Sequence, residues 1–266
     1  MARYLNGATI MTTSTPRSLE IAREAGFDGI EARAERLLVD AAEIRAAAAR
    51  VRPGEVWSLN GVRITLRPDG TLDRATLEAD LAPRLEICRE GGAAALLAVP
   101  PRLAGVGEDQ ALRGVREGLE IARDHAARDG VSIAFEFLGF SDCPIRTPAA
   151  AGRVVDGLAD VHLVLDSCHW HASGSGALDE FRVDRLAMVH LNDAPAKPPE
   201  TLEDADRVLP GLGVIRLPEL VAALRGCRYQ GSWSLETFNP AYWEDDPATV
   251  ATEGQAALAA LLGARI

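Results

Sequence analysis

No stretch of this chain approaches the ~18 consecutive apolar residues of a membrane-spanning helix, so no membrane partner is expected. The four cysteines, Cys88, Cys143, Cys168 and Cys227, include no CxxC pair. That spacing predicts neither a disulfide frame nor a cysteine-bound zinc, and suits the reduced thiols of a cytoplasmic protein. Cys88 and Cys227 read as small buried hydrophobes. The opening MARYLNGATIMTT has no basic region followed by a long apolar stretch, which predicts no signal peptide. Positive charge is also short: 28 Lys and Arg stand against 39 Asp and Glu, a net charge of −11. A surface that acidic repels phosphate backbones and argues against a nucleic-acid partner. The acids form no single-sign block, and no linker, repeat or low-complexity tract divides the chain.

What is present is alternation. Apolar, strand-like runs occur at YLNGATI (4–10), GIEA (29–32), VWSLN (56–60), AAALLAV (93–99), SIAFEF (132–137), HLVLD (162–166), LAMVHL (186–191) and SWSLET (232–237). Amphipathic stretches such as 15–26, 75–92 and 108–130 lie between them, and Gly26, Gly91 and Gly130 stand where a left-handed C-cap is wanted. Strands alternating with helices imply parallel pairing through right-handed crossovers. An open doubly wound sheet would carry a glycine-rich turn after its first strand, and none is found. The 266 residues match the ~250 of a (β/α)8 TIM barrel, so residues 1–266 are expected to form one such domain. Residues 192–213, with four prolines and many acids, read as a long loop after the seventh strand, with room for one short helix.

Four polar residues break the apolar pattern near strand C-termini: Glu136, Asp166, His190 and Glu236. They fall on the fifth to eighth strands, whose ends converge at one side of a barrel mouth. Each carboxylate alone would be costly to bury, and three together repel unless a cation neutralises them. One divalent metal ion resolves both problems, and a donor set of one nitrogen and three oxygens suits Mn, Mg, Co or Zn.

With those residues in view, the chain resembles the sugar phosphate isomerase/epimerase branch of the xylose isomerase-like TIM barrels. The likeness runs through AGFDGIEAR (25–33), FEF (135–137), LDSCHWHASG (165–174), VHLND (189–193), RVLPGLGVI (207–215) and SLETFNPAYW (234–243). It is strongest to inosose (2-keto-myo-inositol) isomerases of inositol catabolism. The resemblance implies that Glu136, Asp166, His190 and Glu236 ligate the metal. It further implies that His169 and Arg207 contact substrate and that Glu31 lies close to it. Leu212 in the PGLG turn, Asn192 after VHL, and Thr237 with Asn239 after Glu236 depart from the common pattern.

Moving a ketone along a polyol requires removing a C–H proton beside the carbonyl, with metal stabilisation of the resulting enediolate. Glu136 and Glu236 are the candidate proton carriers, and His169 could donate to the developing oxyanion. Arg207 could bind a substrate oxygen, or simply pair with Asp204 or Asp206. Trp170, His171, Tyr242 and Trp243 could stack on a sugar face or serve as packing, and the same choice faces Trp57 and Asn60. His125 and His162 read as structural. Cys143 and Cys168 have no thiolate-making partner.

The expected activity is isomerisation or epimerisation of a small polyhydroxy ketone or sugar. A lyase or dehydratase on the same metal, including elimination from 3-keto-glycosides, is the nearest rival. Hydrolysis of abasic DNA would want a basic groove and more histidines. A non-catalytic barrel subunit would have no need of buried acids. No basic cluster is apparent around the four ligands, which points to an unphosphorylated substrate. A homo-oligomer is compatible with such a barrel, although no pattern marks the pairing face.

Overall fold

The computed structural model describes residues 1–263. Eight parallel strands close a barrel in sequence order. They are β1 (Arg3–Asn6), β2 (Gly29–Arg33), β3 (Val56–Arg63), β4 (Ala95–Val99), β5 (Ser132–Glu136), β6 (Val161–Asp166), β7 (Leu186–Leu191) and β8 (Ser232–Leu235). Around them run α1 (Thr15–Ala25), α2 (Ala34–Leu37), α3 (Ala41–Ala48), α4 (Arg74–Gly91) and α5 (Glu108–Ala126). These are followed by α6 (Pro148–Val155), α7 (Ser167–Ala172), α8 (Leu217–Gly226), α9 (Pro240–Glu244) and α10 (Pro247–Leu262). No helix among the described residues is long and apolar enough to cross a membrane.

Strand periodicity builds the barrel in two layers. Outward residues such as Leu5, Leu96, Phe135, Leu163, Val189 and Leu235 join the core beneath the helices. Tyr4, Ala95, Leu97, Ala134, Val164 and Met188 form a separate apolar layer. Two residues further along their strands stand Asn6, Glu136, Asp166 and His190, all buried. Because side chains two apart share a face, the inner wall changes from apolar to polar within one pleat. The register sets Asp166 beside His190 and His190 beside Ser234. Glu236, the first residue past β8, falls two beyond Ser234 and extends the same row.

Some boundaries differ from the sequence pattern. The run 4–10 leaves the sheet after Asn6, whose side chain accepts from the Ala8 amide and starts a 3-10 turn over Gly7–Ile10. A hydrogen-bonding side chain there offers the backbone an alternative to the ladder. β3 continues past residue 60 to Arg63, pairing with Val99. Gly26 and Gly130 do cap in the left-handed region, at φ 86° and 68°, but the cap of α4 falls on Gly92, not Gly91. Cys88 is buried, whereas Cys227 is exposed just beyond α8. The 192–213 segment carries two 3-10 turns, Pro199–Thr201 and Asp204–Asp206, and is pinned by a bridge between Asp193 and Val208.

Gly29 begins β2 where the chain passes close to the backbone of Glu55. A Cβ built there would lie 2.0 Å from the Glu55 carbonyl oxygen, a backbone atom that cannot swing aside. Gly29→Ala should therefore destabilise the barrel by about 1–3 kcal/mol, the usual cost of forced overpacking. Thermal unfolding should show a Tm lower by several degrees; an unchanged Tm would mean that β2 and β3 do not approach as described.

Candidate metal centre

The ends of β5 to β8 bring Glu136, Asp166, His190 and Glu236 together. One ligand atom from each can be chosen so that all lie within 4.8 Å of one another, and all four residues are buried. His190 is the pivot. Its Nδ1 lies 2.9 Å from Glu136 Oε1 and 3.1 Å from Glu236 Oε2. Its Nε2 faces the opposite way, 3.1 Å from Glu31 Oε1. With Nε2–H donating to Glu31, Nδ1 faces the carboxylates either as the second N–H of an imidazolium or, when deprotonated, as a lone pair free to bind a cation among them. The donor chemistry fits a divalent ion held by these four side chains.

Each of these candidate ligands is oriented from behind. Asp166 N-caps α7, accepting from the His169 amide at 2.8 Å. Its other oxygen accepts from Asn192 Nδ2 at 2.6 Å and Arg207 Nη1 at 3.1 Å. The departure at Asn192 thus has a use, because a carboxylate there could not donate to Asp166. Asn6 Nδ2 donates to Glu236 Oε1 at 2.8 Å, and Arg207 Nη1 to Glu236 Oε2 at 2.8 Å. Glu31 is itself held by Ser58 Oγ at 2.7 Å and by Asn60 Nδ2 at 3.3 Å.

Burial opposes charge throughout this cluster, and neighbours decide each outcome. Burial, reinforced by Glu236 and Asp166, pushes the Glu136 carboxyl up to about 7 against the pull of His190. Glu236 is equally buried, yet His190, Arg207 and Arg33 hold it well below the usual carboxylate range. Burial also drives the His169 imidazole below its ordinary value, and the positive charge of Arg207 adds to the effect. Arg207 Nη2 lies 3.0 Å from His169 Nε2. A guanidinium can only donate, so Nε2 accepts and the ring hydrogen sits on Nδ1. That buried Nδ1 has no partner in the protein.

A cavity of about 510 Å³ opens beside these groups, lined by Glu136, His169, Arg207 and Glu236. Arg207 also pairs with Asp204 at 2.7 Å, the partner the sequence offered for it, and it lines the cavity as well. Glu31 and Trp170 do not line the cavity. Glu31 is fully buried beneath His190, and Trp170 donates its indole hydrogen to the Gly176 carbonyl at 2.9 Å. Trp243 donates to Ala8 O and Tyr242 accepts from the Leu209 amide, so both fasten loops. Burial pushes the Cys143 and Cys168 thiols up to about 12, which keeps them protonated.

Sequence reasoning passed over Asn6, Ser58, Arg33 and Phe238. Phe238 lines the cavity, with the Arg33 and Arg207 guanidiniums 4.9 and 5.3 Å from its ring centre. A signal existed for two of them: Asn6 and Ser58 are polar breaks in apolar strands like those on β5 to β8. The absence of a basic cluster is corrected as well. Arg33, Arg63, Arg84 and Arg207 all line the cavity, gathered from separate segments.

A closed parallel barrel with a histidine–carboxylate cluster buried at the C-terminal ends of its strands defines a (β/α)8 barrel of the metal-site type. The chain belongs to the xylose isomerase-like TIM barrel family, whose sequence model matches residues 19–261. It is similar to an inosose isomerase of Bacillus velezensis, 28% identical over 255 residues, covering 91% of this chain and 89% of that protein. An inosose isomerase of Halalkalibacterium halodurans is 36% identical over 129 residues, 47% of this chain and 44% of that protein. Among solved structures, the IOLI protein with a bound zinc atom superposes with a TM-score of 0.86 at 25% identity, covering 98% of each chain.

Glu31 provides the sharpest test of this geometry. Glu31→Gln should leave the fold intact but weaken divalent-ion binding by about 10–100-fold, the usual cost of losing the partner that orients a ligating histidine. Chelator competition measures it, and an affinity equal to wild type would rule out His190 as the oriented ligand.

Proposed function

We propose that this protein is a divalent-metal-dependent isomerase or epimerase of a small polyhydroxy ketone, an inosose or keto-sugar. The observation that carries this reading is the pair of carboxylates, Glu136 and Glu236, that line one cavity and both meet His190 Nδ1, at 2.9 and 3.1 Å. An ion held by Glu136, Asp166, His190 and Glu236 would supply a fixed positive charge beside the ketone, acidifying the neighbouring C–H. Its donor set suits Mn, Mg, Co or Zn.

The protein's own groups divide the remaining work. Glu236 has both oxygens engaged, Oε1 by Asn6 and Oε2 by Arg207. Glu136 has its Oε1 against His190, which leaves Oε2 as the proton acceptor. Proton removal there gives an enediolate. Return of the proton to the adjacent carbon by Glu136 transposes the ketone; inversion of the centre would instead need a proton taken from solvent and relayed through Glu236 to the opposite face. The neutral His169 presents Nδ1–H as a donor to the oxygen on which charge develops. Arg207 holds that imidazole in the donating tautomer while fixing Asp166 and Glu236. Asp204 and Arg207, both from the loop after β7, wall the cavity and help exclude water from the enediolate.

Solvent deuterium incorporation into 2-keto-myo-inositol by the metal-loaded protein tests this directly. Exchange should depend on added ion, and Glu136→Gln and Glu236→Gln should each lower it by about 10²–10⁴, as for loss of a general acid or base. No exchange, with the ion still bound, would sink the inosose assignment.

A further inference from the structure

The proposed proton transfers use the part of the cavity bounded by β5 to β8; the rest of its wall comes from β2, β3 and β4 and from α2 and α4. Arg63, the last residue of β3, stands on that wall with Val62, Thr65, Leu97 and Arg84. The other guanidiniums of the lining are matched by carboxylates. Arg33 Nη2 lies 2.8 Å from Glu35, Arg84 Nη1 3.4 Å from Asp80, and Arg207 Nη2 2.7 Å from Asp204. Arg84 is further tied to the backbone, its Nε donating to Gly61 O at 3.0 Å and its Nη1 to Asp80 O at 2.8 Å. Among the described residues Arg63 alone of these four makes no ion pair, and its guanidinium no hydrogen bond.

The charge is therefore uneven along the cavity. An anion placed near Glu136 and Glu236 would meet two carboxylates, whereas at the β3 end it meets an uncompensated guanidinium whose planar fork suits a carboxylate or phosphate. The lining also includes the apolar Leu97, Val99 and Leu138, against which ring C–H groups can lie. At about 510 Å³ the cavity falls inside the ~300–1,000 Å³ range of small-molecule pockets.

We propose that the β3 end is an anion subsite: the substrate carries a carboxylate or phosphate remote from its ketone carbon, and Arg63 is the charge that receives it. This rests on the polyhydroxy-ketone reading of the same cavity and adds the polarity of the substrate's far end. It also accounts for an exposed arginine left unpaired on a wall where neighbouring arginines are neutralised.

The test is calorimetric binding to metal-loaded wild type and Arg63→Gln, with thermal unfolding to check that both are folded. The ligands are 2-keto-myo-inositol, its phosphate monoester, and a cyclic hydroxy-keto acid of similar size. In wild type at least one anionic ligand should bind about tenfold more tightly than the neutral ketone, and Arg63→Gln should erase that preference. Which anion gains identifies the substituent. No preference for either anion, or a preference that survives Arg63→Gln, overturns the subsite. Because binding is read by heat and not by turnover, failed deuterium exchange would count against the reaction and leave this comparison standing.

Discussion

Everything at the barrel mouth depends on one imidazole held among carboxylates. His190 touches Glu136 and Glu236 through one ring nitrogen and Glu31 through the other, at 2.9–3.1 Å. Buried acids at such spacing are tolerable only if cations and donors answer each of them. The first three strands supply no candidate ligand, yet they provide many of the donors: Asn6, Ser58 and Asn60 all serve Glu31 or Glu236. The polar layer thus draws on seven of the eight strands, β4 being wholly apolar. Removing a member on β2 or β3 should be felt by ligands on β7 and β8.

The loops above that layer are fixed by the same logic. Asp193, directly after β7, accepts from the amides of Ala194, Gly211 and Ile215 and so folds the PGLG turn back onto the strand end. That turn follows Arg207 and holds it over Asp166 and Glu236. Across the mouth, Arg102 joins three loops, binding Asp142 at 2.8 Å and Glu203 at 2.6 Å. Its guanidinium also lies 4.3 Å from the centre of the Phe140 ring, which meets His169 edge to face at 4.9 Å. The position of the His169 imidazole is therefore set by contacts from three separate βα loops. Such over-determination is what a group needs if its hydrogen bond is to be aimed before substrate arrives.

Local pattern carried much of this into the sequence. Period-two apolar runs marked all eight strands, and polar breaks at Glu136, Asp166, His190 and Glu236 marked a buried cluster that could hold a metal ion. A buried carboxylate in an apolar strand is an expense that stands out at short range. The strand end after Asn6 was not legible, because a side chain bonding two residues ahead competes with the ladder without changing the apolar pattern. Nor was the place of Glu31: proximity to the site could be expected, but not that it lies beneath His190 and away from the cavity.

By itself the sequence determined the barrel and which side chains lie in its polar row, since both follow from a two-residue repeat that each strand carries alone. Only the tertiary structure decided what those side chains face. The pairing of Arg207 with Asp166, His169 and Glu236, and the lack of any ion pair for Arg63 among the described residues, are properties of distance across a closed barrel. Such distances arise when segments tens to hundreds of residues apart meet at one mouth. No local pattern encodes that meeting, because the interactions that fix it act through space between strands and loops and leave no period along the chain.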